Sequence, residues 1–147
     1  MLHSAYILKE IEYMVNRKMV GKARVMKFKE AEEFPAPPPS KKVSKILIDP
    51  VLGSTNVAIG IVTYPPGEKG SPHAHEDCEE FMLILKGRAK VVNEDGSFEI
   101  AEPLDLIYAP PKTKHSIENA GNEDLVFVWI YSPPGEEKKI RERKSKK

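Results

Sequence analysis

With 147 residues and a mass of 16.5 kDa the chain has the size of one ordinary domain, and 40% apolar with 31% charged residues supply a core but no membrane span. Its 23 basic residues nearly balance 22 acidic ones, which leaves no global field to draw nucleic acid or an anionic membrane surface. The longest apolar runs, residues 56–64 and 125–131, are under half the roughly 20 residues a bilayer-spanning helix needs. A single cysteine, Cys78, cannot form an internal disulfide, and no secretory leader is evident, so a cytoplasmic location is expected.

Residues 4–18 place Ile7, Leu8, Ile11, Met14 and Val15 on one side at helical spacing, behind the candidate N-cap Ser4, and predict an amphipathic helix. A short strand is expected over residues 23–28. Next comes Pro35-Ala36-Pro37-Pro38-Pro39, where four ring-locked residues in five exclude a helix or a central strand and leave a stiff connector. From Val43 the pattern changes to short β-rich runs at residues 43–48, 56–64, 80–85, 89–93, 97–101, 104–109, 115–119 and 125–131. Turn residues separate them, Asp95-Gly96 being the strongest hairpin signal. About eight short strands without the long helices of a βαβ fold predict an all-β sandwich or barrel.

From Glu136 the run EEKKIRERKSKK carries seven basic and three acidic residues and predicts a solvated, frayed tail. The expected organisation is an N-terminal helix, strand and Pro-rich connector over residues 1–42, a barrel over 43–135 and a flexible basic tail over 136–147. Abundant Lys and Glu, thirteen prolines and no Gln match thermophilic composition.

The chemistry concentrates in two windows. In the first, His73 and His75 stand two apart, so an extended backbone sends both imidazoles off the same face toward one point. Glu80 opens the apolar run FMLIL, where a carboxylate needs solvent or a positive partner, because burying it alone is very costly. A metal ion is such a partner. In the second window His115 heads another strand, so three of the four histidines fall in these two places. Strand alternation turns Glu79 to the face opposite Glu80. Cys78 is read as a small buried hydrophobe rather than a ligand or redox group.

These residues resemble the cupin superfamily. Its first motif, G-x5-H-x-H-x(3 or 4)-E-x6-G, is met throughout by Gly67, His73, His75, Glu80 and Gly87. Its second, G-x5-P-x-G-x2-H-x3-N, is met by Pro110, His115 and Asn119, while Leu104 and Lys112 stand at the two glycine positions. The resemblance covers residues 43–131 and implies a double-stranded β-helix, or jelly-roll barrel, here preceded by the N-terminal amphipathic helix. It implies a divalent metal inside the barrel bound by His73, His75, Glu80 and His115, and it is compatible with the homodimers common among cupins. Three imidazoles and one carboxylate leave about two positions of an octahedral ion open and favour Mn, Fe, Ni, Co or Zn over Mg or Ca.

Alternation puts Met82 and Ile84 on the face of Glu80, and Ile117 and Asn119 on that of His115, so apolar walls with one amide are expected near the metal. Tyr64, Tyr108 and Asn119 are candidates to face substrate. In residues 125–131, Val126, Val128 and Ile130 alternate with Phe127, Trp129 and Tyr131; one set lines the barrel, the other packs on a second sheet or subunit, and the aromatic set reads as core. The expected function is a small-molecule metalloenzyme of oxygenase or lyase type. Oxalate-type chemistry ranks lower, because a dianion needs a cationic clamp and only Lys69 stands near His73. A cupin-type sugar-phosphate isomerase also ranks lower, since Arg88, Lys90, Lys112 and Lys114 lie in or beside turns. The alternative from another class is a non-catalytic small-molecule binding or sensor cupin. No nucleic acid and no membrane are expected as partners.

Overall fold

A computed structural model describes residues 7–9 and 21–145. The helix expected over residues 4–18 lies outside these, apart from residues 7–9, which are helical. Among the described residues the strands are β1 (Glu33–Pro35), β2 (Val43–Ile48), β3 (Ala58–Tyr64), β4 (Glu79–Lys86), β5 (Ala89–Asn93), β6 (Phe98–Ala101), β7 (Leu106–Ala109), β8 (His115–Asn119) and β9 (Leu125–Ser132). A helix, α1 (Lys138–Ser145), follows them. The strands form a six-stranded sheet, β1-β2-β3-β9-β4-β7, and a three-stranded sheet, β6-β5-β8. Every paired neighbour is antiparallel, and the two sheets make the double-stranded β-helix. No helix of the described residues is long and apolar enough to cross a membrane.

The register fixes what each face of the larger sheet carries. Inward, Ala58, Tyr131, Glu80 and Ala109 stand side by side across β3, β9, β4 and β7, and the next row is Gly60, Trp129, Met82 and Ile107. Outward, the intervening rows are Ile59, Ile130, Phe81 and Tyr108, then Ile61, Val128, Leu83 and Leu106. Along these rows both faces are apolar, with Glu80 as the charged exception. Gly87 ends β4 at φ 83°, where a Cβ would come within 2.7 Å of the Asp124 carbonyl oxygen. Leu104 and Lys112, at the two glycine positions of the second motif, also adopt left-handed backbone, with φ of 77° and 62°. The turns keep the shape that glycine serves, at the cost of some backbone strain.

Two expectations are corrected. Residues 23–28 form no strand; they run irregularly into a 3-10 turn at Phe28–Glu30, and the chain becomes extended at β1 instead. There Phe34 is buried and β1 pairs with β2 at the edge of the sheet, where Pro35 is tolerated. The run from Glu136 is not a frayed tail either, because it folds into α1 and lies against β1. Ile140 is buried in the core, and Arg141 Nε and Nη2 donate to the Asp49 carboxylate at 2.6 and 2.7 Å. Asp49 is 1% exposed and also accepts the Leu52 amide. One isoleucine and one ion pair across 92 residues hold the helix, and neither is visible as local periodicity.

Arg141→Ala strands a buried carboxylate and is expected to cost about 3 kcal/mol of unfolding free energy. Urea titration of the variant against the parent chain measures it.

Candidate metal centre

β4 brings Glu80 inward to 4% exposure, and the connection between β3 and β4 brings two histidines to meet it. That connection runs beside β8. The Gly70 amide donates to the Ile117 carbonyl at 2.7 Å, and His73 and His115 exchange both backbone hydrogen bonds at 2.9 Å. The smaller sheet is thereby prolonged to His73, and the extended backbone sends His73 and His75 inward together. Nε2 of His75 and of His115 lie 3.0 and 3.1 Å from Glu80 Oε2, and Nε2 of His73 lies 3.8 Å from it. Ligand atoms of His73, His75 and Glu80 all fall within 4.8 Å of one another. Of the four residues singled out in the sequence, the three histidines thus converge on one carboxylate oxygen of the fourth, Glu80. His75 and His115 are buried, while the His73 side chain keeps 41% of its surface exposed and forms the open side.

Hydrogen bonds behind the rings settle which nitrogens point inward. Nδ1 of His73 donates to the Ser71 carbonyl and Nδ1 of His115 to that of Thr113, each at 2.9 Å. In the neutral ring each Nε2 is then a bare lone pair. His75 Nδ1 lies 3.0 Å from Glu136 Oε2, an ion-pair distance off the hydrogen-bond line. A lone pair 3.1 Å from a carboxylate oxygen is repulsive unless a cation stands between them, a proton or a metal ion. Two ligands at right angles on a metal with bonds of about 2.1 Å are about 3.0 Å apart. The spacings of His75 and His115 from Glu80 match that edge, and the donor types suit a divalent transition metal.

Without a metal the cluster favours the protonated form of its buried imidazoles. Burial alone would lower the pKa of His75 and His115, but their hydrogen bonds and attraction to Glu80 outweigh it and raise both. Burial pushes Glu80 up, but the hydrogen bonds from His115 and His75 and the nearby His73 ring carry it far below the usual carboxylate range. Burial and then the Glu80 charge raise Tyr64 and Tyr131, so both phenols stay protonated. The Cys78 thiol is buried and pushed up to about 11, which leaves it inert. Glu79 faces outward and accepts the Tyr108 hydroxyl at 2.7 Å.

His73, His75 and Glu80 line a cavity of about 250 Å³. Met82 and Ile117 line it where alternation puts them, with Val62 and Phe127. Tyr64 also lines it, whereas Ile84 is enclosed in the core and Tyr108 lies on the outer face of the sheet. Asn119 is structural: its amide donates to the Tyr64 and Glu123 carbonyls. Trp129 and Tyr131, expected as core, are core and cavity wall at once. Trp129 can sit there because position 60 is glycine; a Cβ would come within 2.1 Å of its Cζ2.

The cations near the site also differ from expectation. Lys69 faces Glu118 across 3.9 Å, and the cavity is lined instead by Lys42, Lys139 and Arg143. Glu136, Lys139, Ile140 and Arg143 follow a spacing of three, four and seven, one face of α1 and its leading turn, and that face closes the cavity. With one apolar residue in four, the face carries no hydrophobic signal.

The Cupin_2 family, the cupin domain, matches residues 60–131. The uncharacterized protein MJ1618 of Methanocaldococcus jannaschii is 41% identical over 70 residues, 48% of this chain and 55% of that protein. The polyketide synthase CurC of Streptomyces cyaneus is 31% identical over 90 residues, 60% of this chain and 58% of that protein. This chain therefore spans little more than half the length of either relative. In fold it is similar to KdgF from Halomonas sp., with a TM-score of 0.67 and 22% identity, covering 78% of this chain and 99% of that one. By the match of its barrel and by its fold, the chain belongs to the cupin superfamily.

In metal-free protein the imidazoles of His75 and His115 are expected to titrate above the ordinary histidine value of about 6.5. Glu80→Gln removes that attraction, so both should titrate lower than in the parent chain, with Glu136 still favouring the charged ring of His75 and the Thr113 carbonyl that of His115. Nitrogen chemical shifts of the rings against pH give the test.

Proposed function

We propose that this cupin binds one divalent transition-metal ion, of the Mn, Fe, Ni, Co or Zn group, through His73, His75, Glu80 and His115. On this reading it acts as a small-molecule metalloenzyme of oxygenase or lyase type. The carrying observation is that two buried imidazole Nε2 atoms lie 3.0 and 3.1 Å from one buried carboxylate oxygen, with their rings backed by a carbonyl or a second carboxylate. A metal bound there supplies Lewis-acid polarisation of a substrate oxygen and, for a redox-active ion, a position for dioxygen.

The chain's own residues set the conditions. The Ser71 and Thr113 carbonyls hold the rings of His73 and His115 in the ligating tautomer, and Glu136 stands behind His75. Apolar walls limit water, and the protonated phenols of Tyr64 and Tyr131 offer hydrogen bonds to a substrate oxygen. The similarity to CurC, a polyketide synthase, is in keeping with an oxygen-rich substrate in this cavity. Cys78, buried and without a second cysteine in the chain, suits the reducing cytoplasm.

We also infer a homodimer through the outer face of the larger sheet. Its rows Ile59, Ile130, Phe81, Tyr108 and Ile61, Val128, Leu83, Leu106 form one apolar surface, on which Leu106 and Tyr108 are openly exposed. A second copy presents the same surface, so a two-fold contact is self-complementary.

Elemental analysis of the full chain should find near-stoichiometric metal, lost in His73→Ala and His115→Ala while the circular dichroism of the barrel persists. Metal retained in both variants overturns the four-residue site. In sedimentation the chain should run as a dimer at micromolar concentration and Leu83→Glu as a monomer. A monomeric parent chain overturns the interface.

A further inference from the structure

Among the described residues, the buried side-chain nitrogens without a hydrogen-bond partner are His75 Nδ1, Trp129 Nε1 and Arg143 Nη1, and all three residues line the cavity of the histidine cluster. His75 Nδ1 has Glu136 beside it at 3.0 Å. Trp129 and Arg143 have no such neighbour, and a buried donor left unpaired costs about 1–3 kcal/mol. Both are donors only, so the missing partner is an acceptor.

Charge around Arg143 narrows the class of acceptor. Lys139, on the same face of α1, is already paired with Glu136 at 2.8 Å. Lys42 and Arg143 are left. Lys42 Nζ sits over the Tyr64 ring, 5.4 Å from its centroid, where a backbone bond from the Ala36 amide to the Lys42 carbonyl closes the Pro-rich connector. Burial lowers the pKa of Lys42, and the Arg143 charge lowers it further, which places the two cations within each other's field. Glu68 is the described carboxylate that favours Lys42, and it is already held by the Ser40 hydroxyl and the Lys41 amide. Burial pushes Arg143 down as well. Two half-buried like charges facing one cavity repel each other until an anion lies between them.

We infer that Lys42 and Arg143 form an anion clamp, and that the cavity takes a small organic acid whose carboxylate lies between them while its apolar body rests on Val62 and Phe127. That the other end of the acid meets a bound metal rests on the function proposed above; the clamp does not. A carboxylate suits the site better than a phosphate. Two cations and one indole N–H match two carboxylate oxygens, whereas a phosphate brings up to two charges and three strongly accepting oxygens into a space that the carboxylates of Glu80 and Glu136 also line.

The clamp is tested with the full chain stripped of metal, using benzoate and its uncharged isostere benzamide in calorimetry. Benzoate should bind at least tenfold more tightly than benzamide. Arg143→Met should remove most of that preference and Lys42→Met a large part of it, with thermal melts showing that both variants fold. Equal binding of the two probes, or a preference that survives Arg143→Met, overturns the clamp, and so does inorganic phosphate binding as tightly as benzoate. Manganese titration of the same proteins separates the two readings. A parent chain that binds no metal yet prefers benzoate sinks the metal site and keeps the clamp. Metal binding within twofold of the parent in Arg143→Met, together with loss of the benzoate preference, is the result expected if both hold.

Discussion

A carboxylate at 4% exposure keeps its charge only where positive partners offset its desolvation, and the barrel is arranged around that requirement at Glu80. The residue belongs to the six-stranded sheet, yet its partners come from the other side. His115 heads β8, and His73 is tied to His115 by a reciprocal pair of backbone bonds. The two sheets therefore meet electrostatically at one oxygen atom as well as through apolar packing. The row that carries Glu80 has alanine at both ends, Ala58 and Ala109, so room for the imidazoles is made by small side chains rather than by a break in a strand.

This explains why so much of the site could be read from the sequence. A ligand set built on extended backbone inherits the period of two: His73 and His75 share a face because they are two apart, and Glu80 turns inward because Glu79 turns outward. The same alternation located Met82 and Ile117 in the cavity wall. It misjudged Ile84, two residues further along β4, because the cavity ends before the strand does. Leu104 and Lys112 show a different limit. Their left-handed backbone has no local signature in the residues themselves and is imposed by the turns they occupy.

The parts that stayed hidden depend on charges far apart in the chain. Nothing near Arg141 announces Asp49, and nothing near Lys42 announces Arg143, because charges brought together across the fold, opposite or like, have no period and leave no pattern. A run such as EEKKIRERKSKK is read by its solubility, and that reading is sound for a helix standing alone: eight residues are too few to stay helical in water. The barrel supplies what the helix lacks. One flank of α1 is fixed by Asp49, and the other carries Ile140 and Arg143 to the cavity.

Docking of α1 and occupancy of the cavity are consequently linked. Arg143 reaches the site only while the helix is docked, so an anion that pairs with it binds the docked form in preference to the undocked one and stabilises it by mass action. The linkage is reciprocal: the free energy by which the anion favours docking is the free energy by which docking favours the anion. Glu136 ties this to the histidine cluster as well: it precedes α1 and lies 3.0 Å from His75 Nδ1, so the segment that brings Arg143 to the cavity also sets a carboxylate beside one of the histidine rings. The charged terminal helix thus belongs to the site by position, although it contributes no group to the oxygen on which the histidines converge.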